Sequence, residues 1–244
     1  MAQILTVAVI KGGTGKTTTC AALAQAGASK GKKVLCIDLD AQGNLSACIG
    51  ADTTEPGAYE LLHGAPAQEL IQSTEQGIDV IASSLNLATE VNDTGNLYRL
   101  QEAIAPITKR YDLIFIDTPP RLSSVTYNAL QACNSVLIPL EAEIHSLQGM
   151  YQLLDIIAQI KKTNNKLKIA GCIITRYNRR TKFNQYMRQQ IDTIGAKQKC
   201  KLLAEIRQGV AVMEAQALRR SLYDYAPQSN PAVDYMHLYE QIIK

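Results

Sequence analysis

The chain has 244 residues, 46% of them hydrophobic, with 25 Lys/Arg against 22 Asp/Glu and a net charge of +3. That length supports one large domain or two small ones with a sizeable core, and the composition excludes fibrous, low-complexity and disordered classes. No apolar run approaches the ~20 residues that span a bilayer, and the start MAQILTVAVIKGG reads as a first strand rather than a cleavable leader.

Short apolar runs alternate with longer segments of helical spacing. ILTVAVI (4–10) predicts a first strand, followed by a glycine-rich loop and a helix through KTTTCAALAQAGASK. KVLCID (33–38), IDVIAS (78–83), DLIFID (112–117), SVLIPL (135–140), LKIAGCIIT (167–175) and CKLLAEI (200–206) predict further strands. Several are apolar throughout, the pattern of strands covered on both faces. NLYRLQEAIAPIT, HSLQGMYQLLDIIAQIKK, FNQYMRQQIDTIG and VAVMEAQAL predict helices, and AVDYMHLYEQIIK a packed terminal one. The alternation implies a single doubly wound, mostly parallel α/β sheet flanked by helices, with one domain over 1–244. With the loop beginning near residue 11, no separate DNA-binding module is expected ahead of it, so any nucleic-acid contact falls to the α/β domain itself.

Charge and sulfur are distributed unevenly. Residues 161–220 hold 15 Lys/Arg and 3 acids, leaving 10 basic and 19 acidic residues elsewhere. A basic quarter of this kind suggests a polyanionic partner, although a solvated lysine-rich face would give the same count. The six cysteines are scattered without a C-x-x-C pair, which predicts reduced core thiols rather than a disulfide or metal framework. His63, His145 and His237 are isolated and predict structural roles.

The chemistry concentrates in three segments. VIKGGTGKTTTC is strand, loop and helix start, but Ile10 stands where the usual phosphate loop has its first glycine, and a second lysine, Lys11, follows it. Gly12, Gly13 and Gly15, with Thr14 between them, let backbone N–H groups face phosphate oxygens, and the helix beginning near Lys16 adds its positive end. Lys16 suits the β- and γ-phosphates, Thr17 a Mg²⁺ ion and Thr18 the α-phosphate. YDLIFIDTPP places Asp117 at a strand end, a metal-side carboxylate, and Pro119-Pro120 force the chain away. VLCIDLDAQGN adds Asp38 and Asp40 at the end of the second strand, in the manner of a loop that senses the γ-phosphate.

Together, KGGTGKTT, DLDAQGN and IDTPP resemble the deviant Walker A P-loop ATPases of the ParA/Soj and MinD group, and within it the short ParA proteins without an N-terminal helix-turn-helix domain. The resemblance covers nearly the whole chain, and LYDYAPQSNPAVDY is similar to the Soj-type C-terminal region. It implies ATP and Mg²⁺ as ligands, slow partner-stimulated hydrolysis, and an ATP-dependent homodimer. Lys11 matches the signature lysine that crosses to the partner's phosphates, Lys16 and Thr17 the in-cis lysine and Mg²⁺ ligand. Asp40 matches the aspartate that positions water, Asp38 its neighbour near the metal, and Asp117 the Walker B position; Asn178 is a candidate for the adenine.

The resemblance further implies non-specific binding of double-stranded DNA. In TRYNRRTK, Arg180 takes the place of a DNA-contacting arginine, with Arg179 and Lys182 beside it. Ala211 stands where a second arginine is expected, for which Arg188, Arg207, Arg219 and Arg220 could compensate. A ParB-like centromere-binding partner, a cytoplasmic nucleoid-associated location and segregation of a plasmid, chromosome or mobile element complete the expectation. The terminal helix is too poor in basic residues for a MinD-like membrane anchor. Alternatives are a ParA-like ATPase positioning a protein cargo, or an ATP-dependent regulator of replication or transcription acting through protein contacts.

Overall fold

The computed structural model describes residues 2–92 and 95–243. β1 (Gln3–Val7) runs through a glycine-rich loop into α1 (Lys16–Ser29). β2 (Val34–Asp38), α2 (Asn44–Ile49), α3 (Ala58–Leu62), β3 (Ile71–Ser73) and β4 (Asp79–Ile81) follow. After α4 (Arg99–Ile104) come β5 (Leu113–Asp117), α5 (Ser124–Ala132), β6 (Ser135–Glu141) and α6 (Ile144–Ile160). β7 (Lys168–Tyr177), α7 (Lys182–Lys197), β8 (Leu202–Arg207), α8 (Ala211–Ala217), α9 (Leu222–Tyr225) and α10 (Asn230–Ile242) complete the order.

The strands form one 8-stranded sheet in the order β3-β4-β2-β5-β1-β6-β7-β8. Every neighbouring pair is parallel except the β3–β4 hairpin at one edge. Each strand sends alternate side chains to opposite faces, and two cores result. On one side Leu5, Val7, Cys36, Phe115 and Ile173 meet α1, α9 and α10. On the other, Ile37, Ile116, Ile138 and Ile174 meet α4, α5, α6 and α7. The five residues of β2 and of β5 are all buried, as their unbroken apolar runs predict. All six cysteines are free and buried in these cores.

α1 lies unusually close to the sheet. It is rich in alanine, and a Cβ on Gly27 would meet Leu113 Cδ1 at 2.9 Å and Val34 Cγ2 at 3.1 Å. Across its outer face packs α10, whose Tyr235 hydroxyl lies 3.1 Å from Thr19 Oγ1. The tyrosines of the C-terminal region are thereby core and rim residues: Tyr235 and Tyr239 are buried, and Tyr223 and Tyr225 flank the same cluster.

Besides the short helices α2, α3 and α9, which no sequence pattern marked, three elements differ from the sequence expectation. The first strand closes at Val7 instead of continuing to residue 10, because the chain must lift out of the sheet into the loop; Ala8 N still donates to Leu137 O at 3.1 Å. β3 has only three residues, one of them strongly apolar, so its period is too short to read. α5 went unpredicted because its β-branched Val125 and Thr126 dilute the helical signal, yet Val125, Ala129 and Leu130 give it a buried face. No described helix is long and apolar enough to cross a membrane.

Candidate nucleotide-binding site

β1, β2 and β5 end at one level. Their register pairs Val7 with Asp117 and Asp38 with Asp117, which sets two carboxylates side by side beneath the glycine-rich loop. In an open parallel sheet the crevice at the carboxyl ends of the strands is where ligands bind. Gly13 and Gly15 adopt φ of 76° and 82°, left-handed values that side-chain-bearing residues rarely take. Gly15 also sits against Thr175, whose Cγ2 would lie 3.3 Å from a Cβ there.

α1 therefore starts abruptly at Lys16. No side chain caps it and no acidic residue occupies its first turn. Its first N–H groups and positive dipole end remain available to an anion. Lys16 is buried, and its Nζ donates to Lys11 O at 2.8 Å, folding the side chain back across the loop. Burial lowers the ammonium from its ordinary value, while Asp117 and then Asp40 pull it back up. Thr17 Oγ1 donates to Asp117 Oδ2 at 2.6 Å, which joins loop and strand end. The buried Thr14 hydroxyl has no hydrogen-bond partner.

The two buried carboxylates are electrostatically short of a cation. Asp117 is pushed up to about 8 by burial first and Asp38 second, against the Thr17 hydrogen bond and Lys16. Asp38 is raised to about 6 by burial, although it accepts from Ser46 N at 2.8 Å, Ser46 Oγ at 2.7 Å and Asp40 N at 3.2 Å. One ammonium beside two desolvated carboxylates leaves room for further positive charge. The oxygen donors, a threonine hydroxyl backed by aspartates, are those a hard divalent cation such as Mg²⁺ takes. The residues present fit that ion.

Above the acids opens a cavity of about 550 Å³, lined by residues 12–18 with Asp40, Gln42, Arg176, Gln216 and Arg219. A second cavity of about 310 Å³ adjoins it at Gly15, Thr18, Arg176 and Gln216. Its walls are largely apolar, with Ile206, Val212, Met213, Pro231 and Tyr235. The two adjoin as halves of one cleft, the first floored by the glycine-rich loop and the second walled in part by apolar side chains. The sequence reading missed the second half: Arg176, Gln216 and Pro231 lie far apart in the chain. The only signals were a strand end at 206 and the glycine at 209, where a Cβ would meet Pro231 Cγ at 2.8 Å.

Other expected residues fall elsewhere. Asn178 lines neither cavity; its Oδ1 accepts from Arg180 N at 3.0 Å in the turn between β7 and α7. Lys11 ion-pairs with Glu143, the residue that precedes α6. Arg179, Arg180 and Lys182 are exposed on the β7–α7 turn and the start of α7, with Arg179 Nε 3.8 Å from Glu205 Oε2. Arg188 is engaged by Glu205 at 2.7 Å and Asp192 at 3.7 Å. Arg207 is clamped by Asp234, with Nη2 at 2.7 Å from Oδ1, and lines the apolar cavity. Arg219 lines the phosphate-side cavity, and Arg220 stacks 5.8 Å from the Tyr225 ring centroid.

Comparison with known proteins agrees with this geometry. A family model described as an AAA domain, AAA_31, matches residues 2–169. The chromosome-partitioning ATPase Soj of Thermus thermophilus is 34% identical, covering 96% of this chain and 92% of its own length. The sporulation initiation inhibitor protein Soj of Bacillus subtilis is 32% identical over 99% of this chain and 98% of its own. Among solved structures, the septum site-determining protein MinD of Pyrococcus horikoshii, complexed with Mg-ADP, superposes with a TM-score of 0.82 at 25% identity, covering 100% of this chain and 97% of its own. With its phosphate loop, paired strand-end aspartates and near full-length likeness to the Soj proteins, the chain belongs to the ParA/Soj family of P-loop ATPases, in the ParA/MinD superfamily.

Proposed function

We propose that the protein binds ATP with Mg²⁺, dimerises around it, associates with double-stranded DNA without sequence preference, and releases both on hydrolysis to ADP and phosphate. The observation that carries this reading is the loop: an uncapped α1 with Lys16 folded over it, two buried aspartates beneath, and Lys11 as a second cation at its mouth. The backbone N–H groups of residues 12–18 hold the phosphates, and Lys16 swings from Lys11 O to the β- and γ-oxygens. Thr17, with Asp117 and Asp38 behind it, would hold Mg²⁺, which would supply the positive charge that the buried carboxylates lack. Asp40, which lines the cavity, orients the attacking water in this reading. The apolar slot at Ile206, Met213 and Pro231 receives the base.

Lys11 then serves the other subunit. Two triphosphates facing across an interface repel, and a cation offered in trans offsets that repulsion only in the ATP-bound pair. DNA association falls to Arg179, Arg180 and Lys182, whose exposure leaves them accessible to phosphates, and hydrolysis is stimulated by a ParB-like partner in segregating a replicon. The family likeness to chromosome-partitioning Soj supports this over a cargo-positioning role.

The test is light scattering after size exclusion, with and without ATP and Mg²⁺, alongside a shift assay on unrelated duplex DNA at low salt. The wild type should dimerise and shift DNA only with ATP. Lys11→Ala should bind nucleotide as a monomer and lose both, and Arg180→Ala should dimerise yet lose most of the shift. A Lys11→Ala protein that still dimerises would return that lysine to a purely intramolecular role.

A further inference from the structure

Four charged side chains meet beside the phosphate loop. Glu141 ends β6, in register with Thr175 of β7, and Glu143 immediately precedes α6. The Glu143 backbone N donates to Glu141 O at 2.8 Å, which keeps the two carboxylates near enough to repel, an arrangement that needs positive charge on either side. Lys11 supplies it at Glu143, and Arg176 at Glu141, with Nη1 2.7 Å from Oε1. Lys11 comes from the loop itself and Arg176 from the strand next to it.

Arg176 has two further properties. Its φ of 51° is left-handed, one of three such non-glycine values among the described residues. Strain of this kind persists where the surroundings impose it, and it concentrates at functional sites. Here the surroundings are plain: the Thr175 hydroxyl donates to Thr14 O at 2.9 Å and Leu140 O at 3.2 Å, and the β7–β8 register shifts between Ile174 and Tyr177, a bulge that turns the backbone at Arg176. That turn brings Arg176 to the boundary of both cavities, next to Gly15, Thr18 and Gln216. Its side chain is 62% exposed, so the bond to Glu141 is a solvent-screened ion pair that a stronger anion can displace.

We infer that Arg176 is a further nucleotide-contacting residue, and that Glu141 is the positioning residue that holds its guanidinium beside the cleft until a phosphate oxygen takes it over. The inference rests on the nucleotide reading of the cleft. It adds to that reading a binding step in which the guanidinium changes partners, so that part of the attraction for nucleotide is offset by the lost Glu141 pair. Charge is conserved throughout: one carboxylate is exposed to solvent as one phosphate oxygen is neutralised. Glu143 and Lys11 form the adjoining pair of the same network.

Calorimetric titration of ATP and of ADP, each with Mg²⁺, tests this as a double-mutant cycle. Arg176→Met should weaken both nucleotides about tenfold, and Arg176→Lys should recover part of the loss. Glu141→Gln should tighten both about threefold, because the arginine starts free. In the double variant Glu141→Gln should have no effect, leaving affinity equal to that of Arg176→Met. A merely structural Arg176–Glu141 pair would instead make both single variants weaker. Arg176→Met affinity within twofold of wild type, or a Glu141→Gln protein that binds more weakly, would overturn the inference. A wild type that takes up neither nucleotide would sink the reading of the cleft instead.

Discussion

Asp117→Asn is the most informative single change beneath the phosphate loop. Asparagine keeps an oxygen to accept from Thr17 Oγ1, now 2.6 Å from Asp117 Oδ2, and removes one of two adjacent buried charges. Burial and Asp38 push the Asp117 carboxyl up to about 8. At about 1.4 kcal/mol per pH unit, the ionised form in the folded protein carries a penalty on the order of 5 kcal/mol relative to the unfolded chain. The sign follows from linkage. The folded carboxyl binds its proton more tightly than the unfolded one, so the stability it contributes is complete below pH ~4 and is lost as pH rises toward ~8. The assay is thermal unfolding of wild type and variant in EDTA without nucleotide, at pH 5 and pH 8.5. For a chain of this size 1 kcal/mol moves Tm by about 2–4 °C, so the variant should melt on the order of 10 °C higher than wild type at pH 8.5 and much less so at pH 5. Taking the difference between the two proteins cancels the titration of every group outside this coupled site. A variant that is less stable at both pH values, or whose gain ignores pH, would refute the argument.

Two further outcomes concern stability. Gly171 has φ of 151°, and a Cβ there would lie 2.5 Å from Lys201 O and 2.6 Å from Leu203 Cγ, so Gly171→Ala should cost at least about 3 kcal/mol in urea unfolding. Asp234→Ala strips Arg207 of partners for its backbone N, Nε and Nη2 and should lower stability by about 1–3 kcal/mol in the same measurement.

The phosphate half of the site was legible because it is local. Residues 11–18 carry glycines, lysines and threonines at fixed offsets, and Asp38 and Asp117 each close an apolar run, so strand ends and carboxylates coincide in the sequence. Parallel pairing of equal-length runs then brings the two acids together without further information. The adjoining cavity is assembled from β7, β8, α8 and α10, and no local pattern marks Arg176 or Gln216 as neighbours of Gly15. Asn178 looked suitable because it follows a strand end, but its side chain is used in its own turn, a common fate for asparagine there. Charge counting marks the basic quarter of the chain, but does not show that Arg188 and Arg207 are engaged by Glu205 and Asp234.

The placement of α10 against α1 has a kinetic consequence. Thr19 meets Tyr235, and Gln3 Nε2 donates to Ile242 O at 2.9 Å, contacts that span 216 and 239 positions of chain. Until residues 230–242 dock, one face of the helix that carries Lys16 and Thr17 has no cover, and closing so long a segment must precede any gain from the contact. The helix behind the phosphate loop is therefore sealed among the last events of folding. A chain emerging from the ribosome presents the glycine-rich motif early but becomes competent for nucleotide only late.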